Sequence, residues 1–142
     1  MKLHLDIEGH DERPALPGDG ADLVALMSFA AMRGFGAQHP LISLAEHLQI
    51  DHHVRLGPLT TFYEGHPEDA EDEEKLNLAW QDAASLLEAA ETARQALETD
   101  ARCHEILGHT RTPGLAQQLQ ALADAIRHAA QAGQHVRMSY EL

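Results

Sequence analysis

The sequence predicts a mainly helical α+β fold, in which an antiparallel helical hairpin and further helices pack with a small sheet formed by the N- and C-terminal strands. Hydrophobic residues make up 44% of the chain but aromatic residues only 4%, so the core must be built from aliphatic residues and alanine, which favour helices. Apolar residues recur at helical spacing through most of the chain, whereas both ends alternate apolar and polar residues. A length of 142 residues suits one domain, which we assign to residues 1–142.

The two predicted terminal strands are residues 2–8 and 135–142, where every second residue is apolar. This alternation is typical of a strand that buries one face. Two isolated strands are only marginally stable in water, so we expect them to pair with each other. The segment from Ile50 to Pro67 has scattered apolar residues around Gly57-Pro58, and we expect one or two short strands there to extend the sheet.

Two helices are predicted in the first half of the chain. The segment from Leu23 to Phe35 is apolar almost all the way round a helix, so this helix should lie at the centre of the core. Asp19 or Asp22 is expected to cap its start. Pro40 suits the first position of a second, shorter helix that carries leucine and alanine on one face.

The longest helical pattern runs from about Asp72 to Leu107, with Trp80 on its apolar stripe and Leu78 off it. About 36 residues would span roughly 54 Å as one helix, whereas a domain of this length has a radius of gyration of about 14 Å. The helix must therefore break, most simply at Thr99-Asp100, or project from the body towards another subunit or a target. A homodimer is expected in either case to use the surface of this helix near Leu78. A last helix, capped by Thr112 with Pro113 in its first turn and ending before Gly133, should fold back on it as an antiparallel hairpin.

The charge of the chain narrows the class of partner. There are 23 Asp and Glu residues against 10 Lys and Arg residues, which gives a formal net charge of −13. All but one of the residues from Glu68 to Glu74 are acidic. Such a surface repels phosphate backbones and anionic lipids and attracts basic proteins or cations. The sequence therefore predicts a basic protein partner, with no binding to nucleic acid or membranes.

The cysteine content and the apolar runs bear on the cellular location. Cys103 is the only cysteine, which excludes an intrachain disulfide and favours a reducing compartment. The longest nearly apolar run, Leu23 to Met32, is far shorter than the ~20 residues of a membrane span. The N-terminal segment lacks the apolar stretch of a signal peptide. These features predict a cytoplasmic protein.

The sequence contains no recognisable catalytic motif. Cys103 and His104 are neighbours, but adjacent residues of a helix project about 100° apart and do not face each other. His104 follows Leu97 by two helical turns, which predicts that it lies on the apolar face as a hydrogen-bonded core residue. A nucleophilic cysteine also needs an oriented base and an oxyanion site, so we expect a protein that is not an enzyme.

The leading functional prediction is a non-enzymatic acidic module that covers a basic partner, as immunity proteins and antitoxins cover the basic clefts of their toxins. The acids should form one electronegative lobe, with an aromatic anchor at its edge. The predicted partner-binding residues are Phe62, Tyr63, Glu64, Glu68, Asp69, Glu71, Asp72, Glu73 and Glu74.

The alternative prediction is a protein that binds a metal or a cofactor. Imidazole and carboxylate groups suit a transition-metal ion such as zinc. The candidate ligands are His47, Asp51, His52, His53, His66, His104 and His109. Their spacings match none of the tight zinc motifs, and the leading prediction therefore includes no cofactor.

Overall fold

The computed structural model describes all residues from Met1 to Leu142 and confirms a mainly helical α+β fold. The helices are α1 (Ala21–Ala31), α2 (Pro40–Asp51), α3 (Leu56–Leu59), α4 (Ala70–Asn77), α5 (Ala83–Thr99), α6 (Ala101–Leu107) and α7 (Leu115–Gln131). The strands are β1 (Lys2–Ile7), β2 (Phe62–Glu64), β3 (Gln81–Asp82) and β4 (His135–Glu141). None of the helices combines the length and the apolar character that crossing a membrane requires.

The C-terminal strand β4 is the centre of the sheet. β1 pairs with it antiparallel, with Leu5 opposite Met138. β2 pairs with it in parallel and β3 antiparallel, at different points along β4. The predicted pairing of the two termini is confirmed, and so is a strand between residues 50 and 67. The alternating residues of β1 and β4 place Leu5 and Met138 in the core, where both are fully buried.

Helix α1 lies in the core, as its apolar sequence predicts, and buries Leu23, Val24, Leu26, Met27 and Ala30. It ends at Ala31 rather than at the predicted Phe35. Two glycines on either side of Phe35 adopt positive φ angles of 84° and 82°, which a right-handed helix cannot contain. Phe35 is consequently 84% exposed.

The start of α1 is held by α7 rather than by its own cap. Gly20 precedes the helix with a φ of 67° and forms no side-chain cap. The buried Gln118 side chain accepts a hydrogen bond from Leu23 N at 2.9 Å. Asp22 instead accepts a hydrogen bond from Gly114 N at 2.7 Å. The predicted capping by Asp19 or Asp22 is therefore wrong, because a long-range amide side chain satisfies the helix start.

The long helical pattern is divided into α4, α5 and α6. The predicted break at Asp100 is confirmed, since its side chain caps α6 by accepting a hydrogen bond from Arg102 N at 2.7 Å. A second break at residues 78–82 was not predicted. There the chain leaves the helical path to add β3 to β4. Trp80, predicted on the apolar stripe, is exposed, and so is Leu78, which was predicted to lie off it.

Helices α5 and α7 form the predicted antiparallel hairpin. Ala83 N, at the start of α5, donates to Gln134 O just beyond the end of α7 at 3.1 Å. Arg127 of α7 forms an ion pair with Glu91 of α5. Buried alanines on α5 let the helices approach closely, and α5 therefore does not project from the body. The homodimer argument that relied on a projecting helix does not hold for this structure.

The start of α7 lies two residues beyond the predicted one. The helix begins at Leu115, and its N-cap is Gly114, which has no capping side chain. Thr112 was expected to cap it, but its hydroxyl lies 2.6 Å from the hydroxyl of Thr110. The end of the helix is close to prediction, since Gly133 follows it with a φ of 69°.

Candidate partner-binding surface and metal-ligating cluster

The acidic segment folds as a short helix, α4, that starts at a carboxylate cap. The Asp69 side chain accepts a hydrogen bond from Asp72 N at 2.9 Å. Glu71, Asp72 and Glu73 lie in the first turn and Lys75 in the last. This distribution favours a helix, because acids interact well with the positive N-terminal end of the helix dipole and a lysine with its negative end.

The acids of α4 face solvent and are almost unpaired. The helix buries none of its residues. Lys75 lies 3.8 Å from Glu71, and none of the ion pairs in the protein joins an arginine to an acid between Glu64 and Glu74. The predicted acidic residues therefore form one contiguous segment of excess negative charge at the surface.

The two predicted aromatic anchors have different environments. Phe62 is half-buried and packs edge-on against Tyr140, with 5.8 Å between ring centroids. Tyr63 is 41% exposed and lines a small cleft with Glu64, Asp72 and Lys75. Since β2 alternates its side chains between two faces, Tyr63 is the more exposed of the two rings. Phe62 belongs to the edge of the core.

Two further apolar side chains lie next to α4 and were not predicted as site residues. Leu78 is 71% exposed and Trp80 is 37% exposed. The Arg137 guanidinium lies 4.8 Å from the centre of the Trp80 ring, which holds the indole in place. The sequence pattern places Trp80 on the apolar stripe of one long helix. Its position at the surface could be predicted only if the break at residues 78–82 were already known.

The predicted metal ligand His66 instead belongs to an ion-pair cluster at the end of the sheet. Its Nε2 lies 2.8 Å from one oxygen of Glu141, and His4 Nε2 lies 2.7 Å from the other. Both contacts lower the pKa of Glu141, that with His66 more than that with His4, and together they bring it to about 2. Glu141 thereby connects β1, β4 and the segment after β2.

We expect Glu141→Gln to lower the melting temperature at pH 5. A carboxyl group whose pKa is lowered by folding stabilises the protein above its unfolded pKa, near 4.5, and loses this effect as the pH falls through the folded value of about 2. The difference in melting temperature between the wild type and the variant should therefore shrink from pH 5 to pH 2. Glu12→Gln, at an exposed acid, serves as the control. A difference that stays constant over this range would contradict the assignment.

A second cluster, which we call the HDC cluster, consists of His47, His52, Asp100 and Cys103. One ligand atom from each residue lies within 4.8 Å of each of the others. His47 lies on α2 and His52 is its C-cap. Asp100 comes from the break between α5 and α6, and Cys103 from the first turn of α6. The cluster forms because α2 packs against α6.

Asp100 is the centre of the HDC cluster. Its Oδ2 lies 2.7 Å from His47 Nε2 and 2.5 Å from His52 Nε2, while its Oδ1 accepts the capping hydrogen bond from Arg102 N. The contact with His52, and to a smaller extent that with His47, holds the pKa of Asp100 well below its usual range. Asp51, a predicted ligand, lies behind His47, with its Oδ2 2.6 Å from His47 Nδ1.

Cys103 is the most deeply buried member of the cluster. It has no exposed surface, and burial, followed by the nearby Asp100 charge, raises the pKa of its thiol to about 11. A catalytic thiol requires the opposite shift. His104 is exposed and points away from Cys103, so the expectation that His104 is a core residue is wrong. The break at Asp100 changes the helical phase on which that expectation relied.

The remaining predicted ligands lie outside the HDC cluster. His53 is exposed and adopts a positive φ of 54° just after α2. His109 lines a separate polar cleft of about 380 Å³ with Pro40 and Arg102. The structure thus brings together His47 and His52, with Asp51 behind them, and does not bring His53, His66, His104 or His109 to the same place. Comparison with protein-family models, with curated proteins and with solved structures gives no match.

Proposed function

We propose that the protein is a non-enzymatic acidic module of the cytoplasm that binds and covers a basic protein partner, in the manner of an immunity protein or antitoxin. One observation carries the proposal. Glu71 to Glu74 lie in α4, which buries none of its residues and is capped by Asp69, and Lys75 forms the one ion pair made by these acids. We call this surface, residues 62–80, the acidic face.

The energetics of α4 favour a role in binding rather than in folding. A helix of eight residues is unstable by itself in water, and like charges three or four residues apart destabilise it further. A helix that buries no side chain gains little from the hydrophobic effect. Its concentration of charge therefore contributes little to the stability of the fold, but it suits the attraction of a cationic surface.

The composition of the acidic face suits recognition of a basic protein. Complementary charge speeds encounter and selects among partners more than it adds affinity. Affinity at interfaces comes mainly from a few buried aromatic and aliphatic side chains. Tyr63, Leu78 and Trp80 provide such side chains in the exposed segments on either side of α4. The module would use its charge for approach and these three residues for contact.

The direct test is capture of partners from a lysate of the source organism with the full chain immobilised. We expect a protein with a basic isoelectric point to be retained at about 50 mM salt and released at about 0.5–1 M, where the Debye length falls to a few ångströms. Retention of no basic protein at low salt would overturn the proposal. Retained proteins would be identified by mass spectrometry.

Homodimerisation is a second prediction, in which another copy of the chain would compete with the basic partner for Leu78, whose side chain is 71% exposed. We expect sedimentation equilibrium to report a dimer in the wild type and a shift towards monomer in Leu78→Asp. A wild-type chain that sediments as a monomer at all concentrations would contradict this prediction without affecting the proposed binding of a basic partner.

A further inference from the structure

The geometry points to a zinc site formed by His47, His52, Asp100 and Cys103, the HDC cluster. We propose that one Zn²⁺ ion binds there with tetrahedral coordination by two imidazole nitrogens, one carboxylate oxygen and one thiolate. This site is independent of the acidic face. It also differs from the histidine set suggested by the sequence, because Asp100 and Cys103 were not among the candidate ligands.

The contacts of His47 favour a positive charge within the cluster. Its Nδ1 faces Asp51 at 2.6 Å and its Nε2 faces Asp100 at 2.7 Å. A neutral imidazole has one N–H group and can donate to only one of these two carboxylates. The second contact needs either another proton or a metal ion. His52 Nε2 approaches the same Asp100 oxygen at 2.5 Å, so a cation at this point would satisfy both histidines at once.

The donor atoms and their spacing suit zinc. Bonds of about 2.0–2.3 Å to nitrogen, oxygen and sulfur place tetrahedral donors roughly 3.3–3.8 Å apart. The four donor atoms already lie within 4.8 Å of one another, and the two short contacts between histidine and Asp100 must open by less than about 1 Å. A buried thiolate among imidazoles disfavours magnesium and calcium, which prefer oxygen ligands.

The surroundings of the ligands also fit a metal site. The Asp51 carboxylate lies 2.6 Å from Nδ1 of His47, the position that an outer carboxylate commonly takes behind a metal-bound imidazole. The Arg102 backbone amide fixes the orientation of the Asp100 carboxylate. Cys103 is fully buried, so its sulfur is a donor that solvent does not reach.

The position of the ligands indicates what the ion would do. Four protein ligands leave no open coordination position, which is typical of structural rather than catalytic zinc. The ion would join the C-terminal end of α2 to the break between α5 and α6, two parts of the chain about 50 residues apart in sequence. It would thereby stabilise the packing of α2 on α6.

Metal titration of the untagged full chain tests this proposal. After treatment with a chelator, the protein should bind one Zn²⁺ per chain and gain in melting temperature. With Co²⁺ alone, the spectrum should show tetrahedral cobalt bands and a thiolate-to-cobalt charge-transfer band. His52→Ala and Cys103→Ser should each weaken binding by at least about 100-fold, since each removes a ligand, and Cys103→Ser should also abolish the charge-transfer band.

Two further variants make the test specific. Asp51→Asn should weaken binding by only about 10- to 100-fold and keep the charge-transfer band, because Asp51 positions His47 without touching the ion. His53→Ala, adjacent to a ligand but outside the cluster, should bind zinc as the wild type does. Far-ultraviolet circular dichroism of each variant separates loss of a ligand from loss of fold. Absence of stoichiometric zinc, a cobalt spectrum without thiolate ligation, or equal loss of binding in His53→Ala would overturn the proposal.

Discussion

Neutralising four acids of the acidic face should slow association with the captured basic partner by about 10- to 1000-fold at low ionic strength. The variant combines Glu68→Gln, Glu71→Gln, Glu73→Gln and Glu74→Gln. It keeps Asp69 and Asp72, which form the cap of α4, so that the helix is preserved. The effect should fall mainly on the association rate measured by stopped flow, because exposed charges steer encounter. It should diminish as salt is added.

A matched control separates the effect of the acidic face on the association rate from the effect of net charge. Asp11→Asn, Glu12→Gln, Glu46→Gln and Glu88→Gln change the charge by the same amount at exposed acids elsewhere. Both variants carry a formal charge near −9, from the wild-type −13 plus four. The control should associate at close to the wild-type rate. Equal slowing of both variants, or no slowing of the first, would contradict binding through α4.

Leu122→Ala should reduce the free energy of unfolding by about 2–5 kcal/mol. Leu122 lies on α7, has no exposed surface and belongs to the continuous core of 32 buried residues. Its truncation removes apolar contacts and leaves a cavity in a core that the α5–α7 hairpin cannot readily close. Denaturant unfolding should show a lower midpoint with an unchanged slope.

Leu78→Ala is the matched substitution at the end of α4. Leu78 is 71% exposed, so this substitution should change stability by no more than about 0.5 kcal/mol. The contrast between the two leucines tests whether α4 lies outside the core. A cost at Leu78 comparable to that at Leu122 would mean that this end of α4 is needed for folding, and it would remove the energetic argument for a binding role.

The parts of the fold that could be predicted from sequence are those set by local periodicity. Alternating residues placed β1 and β4, and the three- and four-residue spacing placed α5 and α7. The pairing of β1 with β4 and the packing of α7 on α5 followed, because neither two isolated strands nor an exposed apolar helix is stable. The break at Asp100 followed from helix length, since a continuous helix would exceed the size of the domain.

Other features depend on contacts between distant residues and left no local signal. Trp80 fits the helical pattern, but the chain leaves the helix before it, and Gln81 and Asp82 form β3 by pairing with β4. Gln118 caps α1 from another helix. These pairings were not predictable from either segment alone.

The candidate sites, too, divide into residues that local sequence identifies and residues that only contacts between distant segments bring together. The acidic residues were found because they are nearly consecutive in sequence. Asp69 caps α4, and the helix dipole favours the acids in its first turn. The HDC cluster was only half found, since His47 and His52 are close in sequence but Asp100 and Cys103 are not. The spacing of Asp100 and Cys103, three residues apart at a helix start, puts both on one turn. That signal points to a ligand pair only once α2 is known to pack against α6.

Hydrogen exchange of the chain, alone and bound to its captured basic partner, tests the central claim most directly. In the free protein the amides of α4 should exchange rapidly, because a short helix without buried side chains opens easily. We predict that the partner slows exchange mainly within residues 62–80. Strong protection elsewhere, with residues 62–80 unchanged, would contradict recognition through the acidic face.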